Sequence, residues 1–406
     1  MFSDDYPALW RASAGVAPPE QGEVISLLER AEPFDLRVPD LLFLDQPAGG
    51  GNLYSGVVDI ARQRKSRYFA GRVFAVVPVY VTSICGEDCS YCNFRSANRG
   101  VGVERLRLSD EELEREVRYL IGEKGMRAIE LVYATDPRMR ADAICRHIGL
   151  VKNLLERAGG GLVGLSAEAF EQADYRRMAE AGLTFSVLWQ ETYDRARYAE
   201  LHAKATKKAG FEYRLDAYER MLAGGIAEIG IGVLSGLADW RRDWWMLMRH
   251  QEYLRRRYGV RAGIIGTPRL KPAPGAAVQA TPFIPTRQEY LFALALQQVF
   301  SPLALPFVST REDWDVCVEM ARGGGCLFTF NCSTIPGGYS LGSRGAQFET
   351  RSYDSKIYPA KLRAESIYPE FSWTFAGARS LERVAAALES VSTGEESPDR
   401  QPNACS

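Results

Sequence analysis

Between residues 73 and 335, eight short runs rich in apolar and β-branched residues alternate with longer segments whose apolar residues recur at helical spacing. The runs are Phe74–Thr82, Ala128–Tyr133, Gly161–Leu165, Thr184–Trp189, Ile229–Leu234, Gly263–Gly266, Leu305–Ser309 and Leu327–Phe330. The helical segments include Asp110–Glu123, Ala141–Ala158, Gln172–Ala181, Tyr213–Ala223, Trp240–Tyr258, Arg287–Phe300 and Glu312–Arg322. Ser109-Asp-Glu-Glu112 reads as a capping box at the start of the first of these. Strands that alternate with helices predict a parallel sheet. Eight such units predict an α/β fold of the closed (β/α)8 TIM type, with its chemistry at the C-terminal ends of the strands.

This divides the chain into four parts. Residues 1–70 form an N-terminal helical extension, with helices over Val24–Arg30 and Tyr54–Lys65 separated by the turn-rich run 46–52. Residues 71–345 form the barrel, and residues 346–388 a C-terminal segment that packs on it. Residues 389–406 are polar and proline-bearing, and are expected to be disordered, with Cys405 incidental.

The first strand leads into Val81-Thr-Ser-Ile-Cys-Gly-Glu-Asp-Cys-Ser-Tyr-Cys-Asn-Phe-Arg95. Cys85, Cys89 and Cys92 have the spacing C-x3-C-x2-C. Three thiolates in one short loop hold three corners of a cubane 4Fe-4S cluster and leave the fourth iron open to a small molecule. Zinc usually takes four ligands in two pairs, and the nearest histidine, His147, is far along the chain. A disulfide framework does not suit a long chain poor in cysteine and without a secretion signal.

Composition is that of an ordinary globular protein, 46% hydrophobic and 25% charged. A net charge of −1 suggests no nucleic-acid or membrane partner. The first residues, Met1-Phe-Ser-Asp-Asp-Tyr6, lack a basic segment followed by an apolar run, and no apolar stretch approaches the ~20 residues of a membrane span. An oxygen-sensitive cluster also needs a reducing compartment, so a cytoplasmic location is expected.

The cysteine motif resembles that of the radical S-adenosylmethionine (SAM) superfamily. The resemblance implies that the open iron chelates SAM, and that an electron from the cluster splits SAM to a 5′-deoxyadenosyl radical. It also directs attention to the polar groups at the strand ends. Tyr91 and Phe94, within and after the motif, either line the adenine of SAM or pack the loop. The superfamily commonly carries a Gly-Gly-Glu-like segment after the second strand, which binds the SAM ammonium. Here the segment is Ala134-Thr-Asp136, so Asp136 is the candidate acceptor, or a turn residue before Pro137. After the third strand, Ser166 and Glu168 point the same way on an extended chain, and Glu168 either touches SAM or the substrate amine or is a solvated charge. Glu191 is a candidate partner for the ribose or methionyl part of SAM. Arg214 is a candidate grip on its carboxylate, with a helix-surface ion pair as the alternative. Arg269, set between prolines, is a candidate second anion contact.

Several segments together are similar to the radical SAM aromatic amino acid lyases, whose members act on tyrosine or tryptophan. They are Val77-Pro-Val-Tyr-Val81 with the cysteine motif, Ser96-Ala-Asn-Arg99, Gln190-Glu-Thr-Tyr193 with Tyr198, Gly230-Ile-Gly-Val-Leu-Ser-Gly-Leu237, Pro268-Arg-Leu-Lys-Pro272, Ser309-Thr-Arg-Glu312 and Pro336-Gly-Gly-Tyr339. The likeness runs from about residue 50 to 340 and is nearest in pattern to the thiamine-pathway tyrosine lyases. It implies that the deoxyadenosyl radical removes a hydrogen from the substrate amino group and that the substrate then fragments at Cα–Cβ. With tyrosine the products are 2-iminoacetate (dehydroglycine) and, after reduction and protonation of the side-chain radical, p-cresol. Arg311 matches the arginine that holds the substrate carboxylate, and Thr329 and Ser309 stand near the same clamp. The resemblance further implies an electron donor such as flavodoxin or ferredoxin, and a partner enzyme that takes up the imine. Cys326 and Cys332 flank the eighth strand, and no cysteine-rich extension for a second cluster follows them. Two competing readings are a lyase or rearranging enzyme for another amino acid in specialised metabolism, and a non-catalytic iron–sulfur protein that keeps the barrel.

Overall fold

The structure is a computed structural model and describes residues 1–45, 51–202, 206–260 and 262–378. The turn-rich run at 46–50, the end of the C-terminal segment, the polar tail and Cys405 lie outside the described residues.

Eight parallel strands close into a barrel: β1 (Arg72–Thr82), β2 (Ala128–Tyr133), β3 (Leu162–Ser166), β4 (Phe185–Glu191), β5 (Glu228–Val233), β6 (Ile264–Gly266), β7 (Leu305–Val308) and β8 (Leu327–Thr329). They pair in chain order, and β1 joins both β8 and β2 to complete the ring. Strands in such a ring are buried on both faces, which is why β1 is buried along almost its whole length. Pro78 lies inside this strand although proline cannot donate to a ladder. The ladder to β8 ends at Val76, with Phe74 and the following even-numbered residues turning their N–H towards β8. The missing donor of Pro78 therefore falls where β8 has already stopped. Its carbonyl, on the same side, accepts the Tyr339 hydroxyl at 2.5 Å.

Side chains alternate across each strand. One inward layer, Phe74, Val76, Ala128, Leu162, Phe185, Val187, Ile264, Leu305 and Leu327, fills the lower barrel as a dry core. A ninth strand, β9 (Tyr368–Glu370), which the sequence patterns did not predict, pairs with β1. It brings Trp373 and Phe375 up against that core. The Trp373 indole donates to the Ala75 carbonyl at 2.9 Å. The N-terminal end of the barrel is thus stoppered, and the open space lies at the C-terminal end.

Three helices differ from the sequence patterns. The expected helix Tyr213–Ala223 is two helices, Phe211–Leu215 and Ala217–Ala223. They part at Asp216, whose carboxylate accepts the amide and hydroxyl of Ser3. Those bonds anchor an N-terminal helix, Phe2–Ala12, whose Phe2 ring stacks on His250 at 3.7 Å. A further short helix, Arg195–Leu201, begins at the Asp194 cap.

Candidate active site

The cysteine loop is folded by its own polar contacts. Arg105 donates to four of its carbonyls, those of Ser83, Phe94, Arg95 and Asn98, at 2.7–3.0 Å. Asp88 receives Arg95 in a two-pronged pair at 2.7 and 3.0 Å. Cys85, Cys89 and Cys92 are free thiols on this loop. Burial, reinforced by Cys92 and Cys89, pushes the Cys85 thiol up to about 12, and burial pushes Cys89 to about 11. Next to them, Glu87 Oε2 and Ser90 Oγ are buried without a hydrogen-bond partner among the described residues. Three free thiols close enough to act on one another's titration suit a group that bonds each thiolate separately. Among the described residues no three His, Cys, Asp or Glu side chains are grouped to hold a single metal ion. A four-iron cluster differs in offering each thiolate its own iron.

The loop faces a cavity at the C-terminal mouth of the barrel. Cys92, Tyr91, Ser166, Glu191, Arg214, Ser309, Arg311 and Thr329 all line it, so eight of the sequence-predicted site residues meet in one space. Tyr91 is fixed by a 3.0 Å contact from its hydroxyl to the His202 ring. β4 shifts register between Trp189 and Glu191, and Glu191 takes the left-handed conformation, φ 73°, which a non-glycine residue adopts only when its surroundings impose it. The imposing partners are Lys208 Nζ at 2.6 Å and Arg214 Nη2 at 3.6 Å. Burial raises the Glu191 pKa, and the two cations outweigh it and hold the carboxylate below its ordinary range. Arg214 also donates to the Trp189 carbonyl at 2.7 Å. It is a buried guanidinium on the cavity wall, not a surface ion pair.

Arg311 follows β7. Its guanidinium lies 3.5 Å from the centre of the Phe348 ring. It makes no hydrogen bond or ion pair with any described residue, although Glu312 and Asp313 adjoin it in sequence. Burial lowers its pKa from the guanidinium value, and the nearby Tyr80 and Glu191 offset this only in part. Nearby, the Thr310 and Thr329 hydroxyls share a 3.0 Å hydrogen bond.

Four expected cofactor contacts are employed elsewhere. Asp136 does not line the cavity: Arg107 takes both its oxygens, at 2.7 and 2.6 Å, and the Thr82 hydroxyl adds a bond at 2.9 Å. Arg269 is turned away onto Glu312, which also receives Lys271 at 3.0 Å. Glu168 pairs with Lys207 at 3.0 Å outside the cavity lining. Phe94 packs edge-on against Tyr80, with ring centres 6.1 Å apart, and is loop core.

The sequence reading missed Lys208, Tyr80, Gln347 and Glu130, all of which line the cavity. Gln347 accepts the Tyr80 hydroxyl at 2.8 Å and turns its amide towards Cys92 Sγ at 3.4 Å. Glu130 was detectable as the one charge inside an apolar strand. Lys208, on the short 3-10 helix Lys207–Ala209, and Gln347, on a loop, gave no signal.

Residues 79–246 match the model of the radical SAM superfamily. Over 79% of this chain and 82% of the relative, the sequence is 29% identical to the 2-iminoacetate synthase of Escherichia coli (strain K12). It is 30% identical to the 3-methylornithine synthase of Methanosarcina barkeri (strain Fusaro / DSM 804), over 50% of this chain and 54% of that one. The fold is shared with the FeFe-hydrogenase maturase HydG from Carboxydothermus hydrogenoformans, with a TM-score of 0.82 and 24% identity over 97% of this chain and 92% of that one. It is also shared with methylornithine synthase (PylB), with a TM-score of 0.69 and 21% identity over 90% of this chain and 100% of that one. The matched model, the cysteine loop and the barrel mouth agree: residues 79–246 carry a radical SAM domain, and the chain is an enzyme.

Proposed function

We propose that this enzyme cleaves the Cα–Cβ bond of an aromatic amino acid, L-tyrosine, to 2-iminoacetate and p-cresol. The observation that carries the reading is Arg311, a half-buried guanidinium that makes no hydrogen bond or ion pair with any described residue, in the same cavity as the cysteine loop. Similarity to 2-iminoacetate synthase across four-fifths of the chain supports it.

Cys85, Cys89 and Cys92 would hold the 4Fe-4S cluster, and Tyr91, Ser166, Glu191 and Arg214 line the space for SAM. Cluster and SAM, when bound, supply the 5′-deoxyadenosyl radical that takes a hydrogen from the substrate amino group. Arg311 holds the substrate carboxylate through a planar fork of donors. Ser309, Thr310 and Thr329 supply hydroxyls beside it. Lys208 and Arg214 keep Glu191 ionised at the wall, where it can accept hydrogen bonds. The aromatic faces of Trp189 and Phe307, whose ring centres are 5.8 Å apart, give the substrate ring an apolar wall.

The proposal includes a cytoplasmic location, a low-potential donor such as flavodoxin or ferredoxin, and a partner that takes up the unstable imine, as in thiamine precursor synthesis. The test is anaerobic reconstitution with iron and sulfide, then SAM, dithionite and each aromatic amino acid in turn, with products read by mass spectrometry. Tyrosine-dependent p-cresol supports the reading. Turnover of tryptophan alone, or of none, contradicts it.

A further inference from the structure

Glu130 has no role in the site as described so far. It lies on β2 in the inward row between Ala128 of the dry core and Val132 of the cavity wall, beside Pro78 of β1. It is 6% exposed, and what exposure remains is to the cavity. Its carboxyl makes no hydrogen bond or ion pair with any described residue. Burial alone pushes its pKa up to about 8, and the titratable groups around it are Tyr80 and Cys332. An acidic side chain that engages no described residue and opens only onto the cavity is placed to meet what the cavity holds. The surroundings narrow what the partner is. Pro78, Val132, Trp189 and Phe307 make the walls apolar and aromatic. Gly232 and Gly266 leave the room that the Trp189 indole fills, since a Cβ on either would come within 2.7 Å of that ring. Arg311 stands at the rim, beyond the end of β7, while Glu130 lies inside β2, below its end.

We infer that Glu130 reads the tip of the substrate side chain: it hydrogen-bonds the phenolic hydroxyl of tyrosine at the cavity floor and thereby rejects phenylalanine. The inference rests on the tyrosine reading above. A neutral carboxyl both donates and accepts, and so pairs with a phenol without moving a charge. The ammonium of lysine would have to carry its charge into the same apolar floor. Sites built to hydrogen-bond a substrate hydroxyl reject the analogue that lacks it strongly, because the buried group is then left unpaired.

The test measures binding and turnover separately. Cluster-reconstituted, SAM-loaded wild type, Glu130→Leu and Glu130→Gln are titrated calorimetrically with tyrosine, phenylalanine and lysine, and p-cresol is assayed in parallel. Iron per chain and melting temperature serve as the folding control, and Glu130→Gln, nearly isosteric, carries the test if Glu130→Leu fails it. We expect wild type to prefer tyrosine over phenylalanine by at least about 100-fold. Glu130→Leu should bring the two within about 5-fold, partly through better phenylalanine binding, and Glu130→Gln should fall between. An unchanged preference in both variants overturns the inference, and p-cresol formation then leaves the lyase reading standing. Loss of preference without p-cresol from any form supports the inference and removes the lyase reading. Binding of lysine in place of tyrosine, or of neither aromatic amino acid, overturns both.

Discussion

Arg311 and Asp136 show how neighbours decide what a charged residue does. Both were candidates from their positions after strands, yet one makes no hydrogen bond or ion pair with any described residue and the other is fully engaged. Sequence could not separate them, because the Arg107 that claims Asp136 comes from a connecting loop and is recognisable only once β1 and β2 are side by side. A desolvated arginine that meets a substrate carboxylate contributes far more than a surface pair. Arg311→Ala should therefore raise the Michaelis constant for tyrosine by about 100-fold or more while iron content is retained. Unchanged kinetics would remove Arg311 from the site. For Asp136, burial raises the pKa, but Arg107, the Arg138 amide and Thr82 overcome it and leave it below the ordinary 3.8. A depressed carboxylate contributes stability that is complete above the unfolded-state value and is lost as pH falls through the folded-state value. Asp136→Asn should thus cost about 3 kcal/mol near pH 7, with the gap to wild type closing below about pH 4. Denaturant melts at pH 7 and pH 3.5 check this, and a gap constant with pH would show that the pair does not titrate as described.

At the scale of elements, all eight barrel strands were legible, the three-residue β6 and β8 included, whereas β9 and the break in one helix were not. β2 begins and ends where its pattern does, and the capping box at Ser109 forms with both of its reciprocal bonds. β9 has only three residues, one of them proline, and carries no periodicity to find. Its existence depends on β1 having a free edge near its start, a fact of topology rather than of local sequence. The helix expected over Tyr213–Ala223 breaks because Asp216 serves a residue more than 200 positions away. β9 matters for stability because it delivers Trp373 to the base of the barrel, where the indole packs on Phe74 and caps the Ala75 carbonyl. Removing a buried tryptophan costs about 3–5 kcal/mol. Trp373→Ala should lower the melting temperature by several degrees and leave the Michaelis constant for tyrosine unchanged, because the stopper is at the opposite end from the cavity. A loss of substrate affinity at full folding would show that the two ends are coupled.

For the molecule as a whole, the barrel count and the position of the chemistry follow from the alternation of strands and helices, and the cysteine loop from spacing alone. The inner floor of the site, with Glu130, Trp189 and Phe307, emerges only when eight strands bring their inward rows together. The central claim is that this cavity takes a hydrogen from the amino group of tyrosine and breaks Cα–Cβ. The amino hydrogens exchange with solvent, whereas the carbon-bound ones do not. The most direct measurement is the reaction of tyrosine with SAM and dithionite in D2O, with mass spectrometry of the 5′-deoxyadenosine and of p-cresol. The account predicts one deuterium in deoxyadenosine, formed together with p-cresol and dependent on Arg311. Deoxyadenosine that remains unlabelled, or that forms equally without tyrosine, would contradict it.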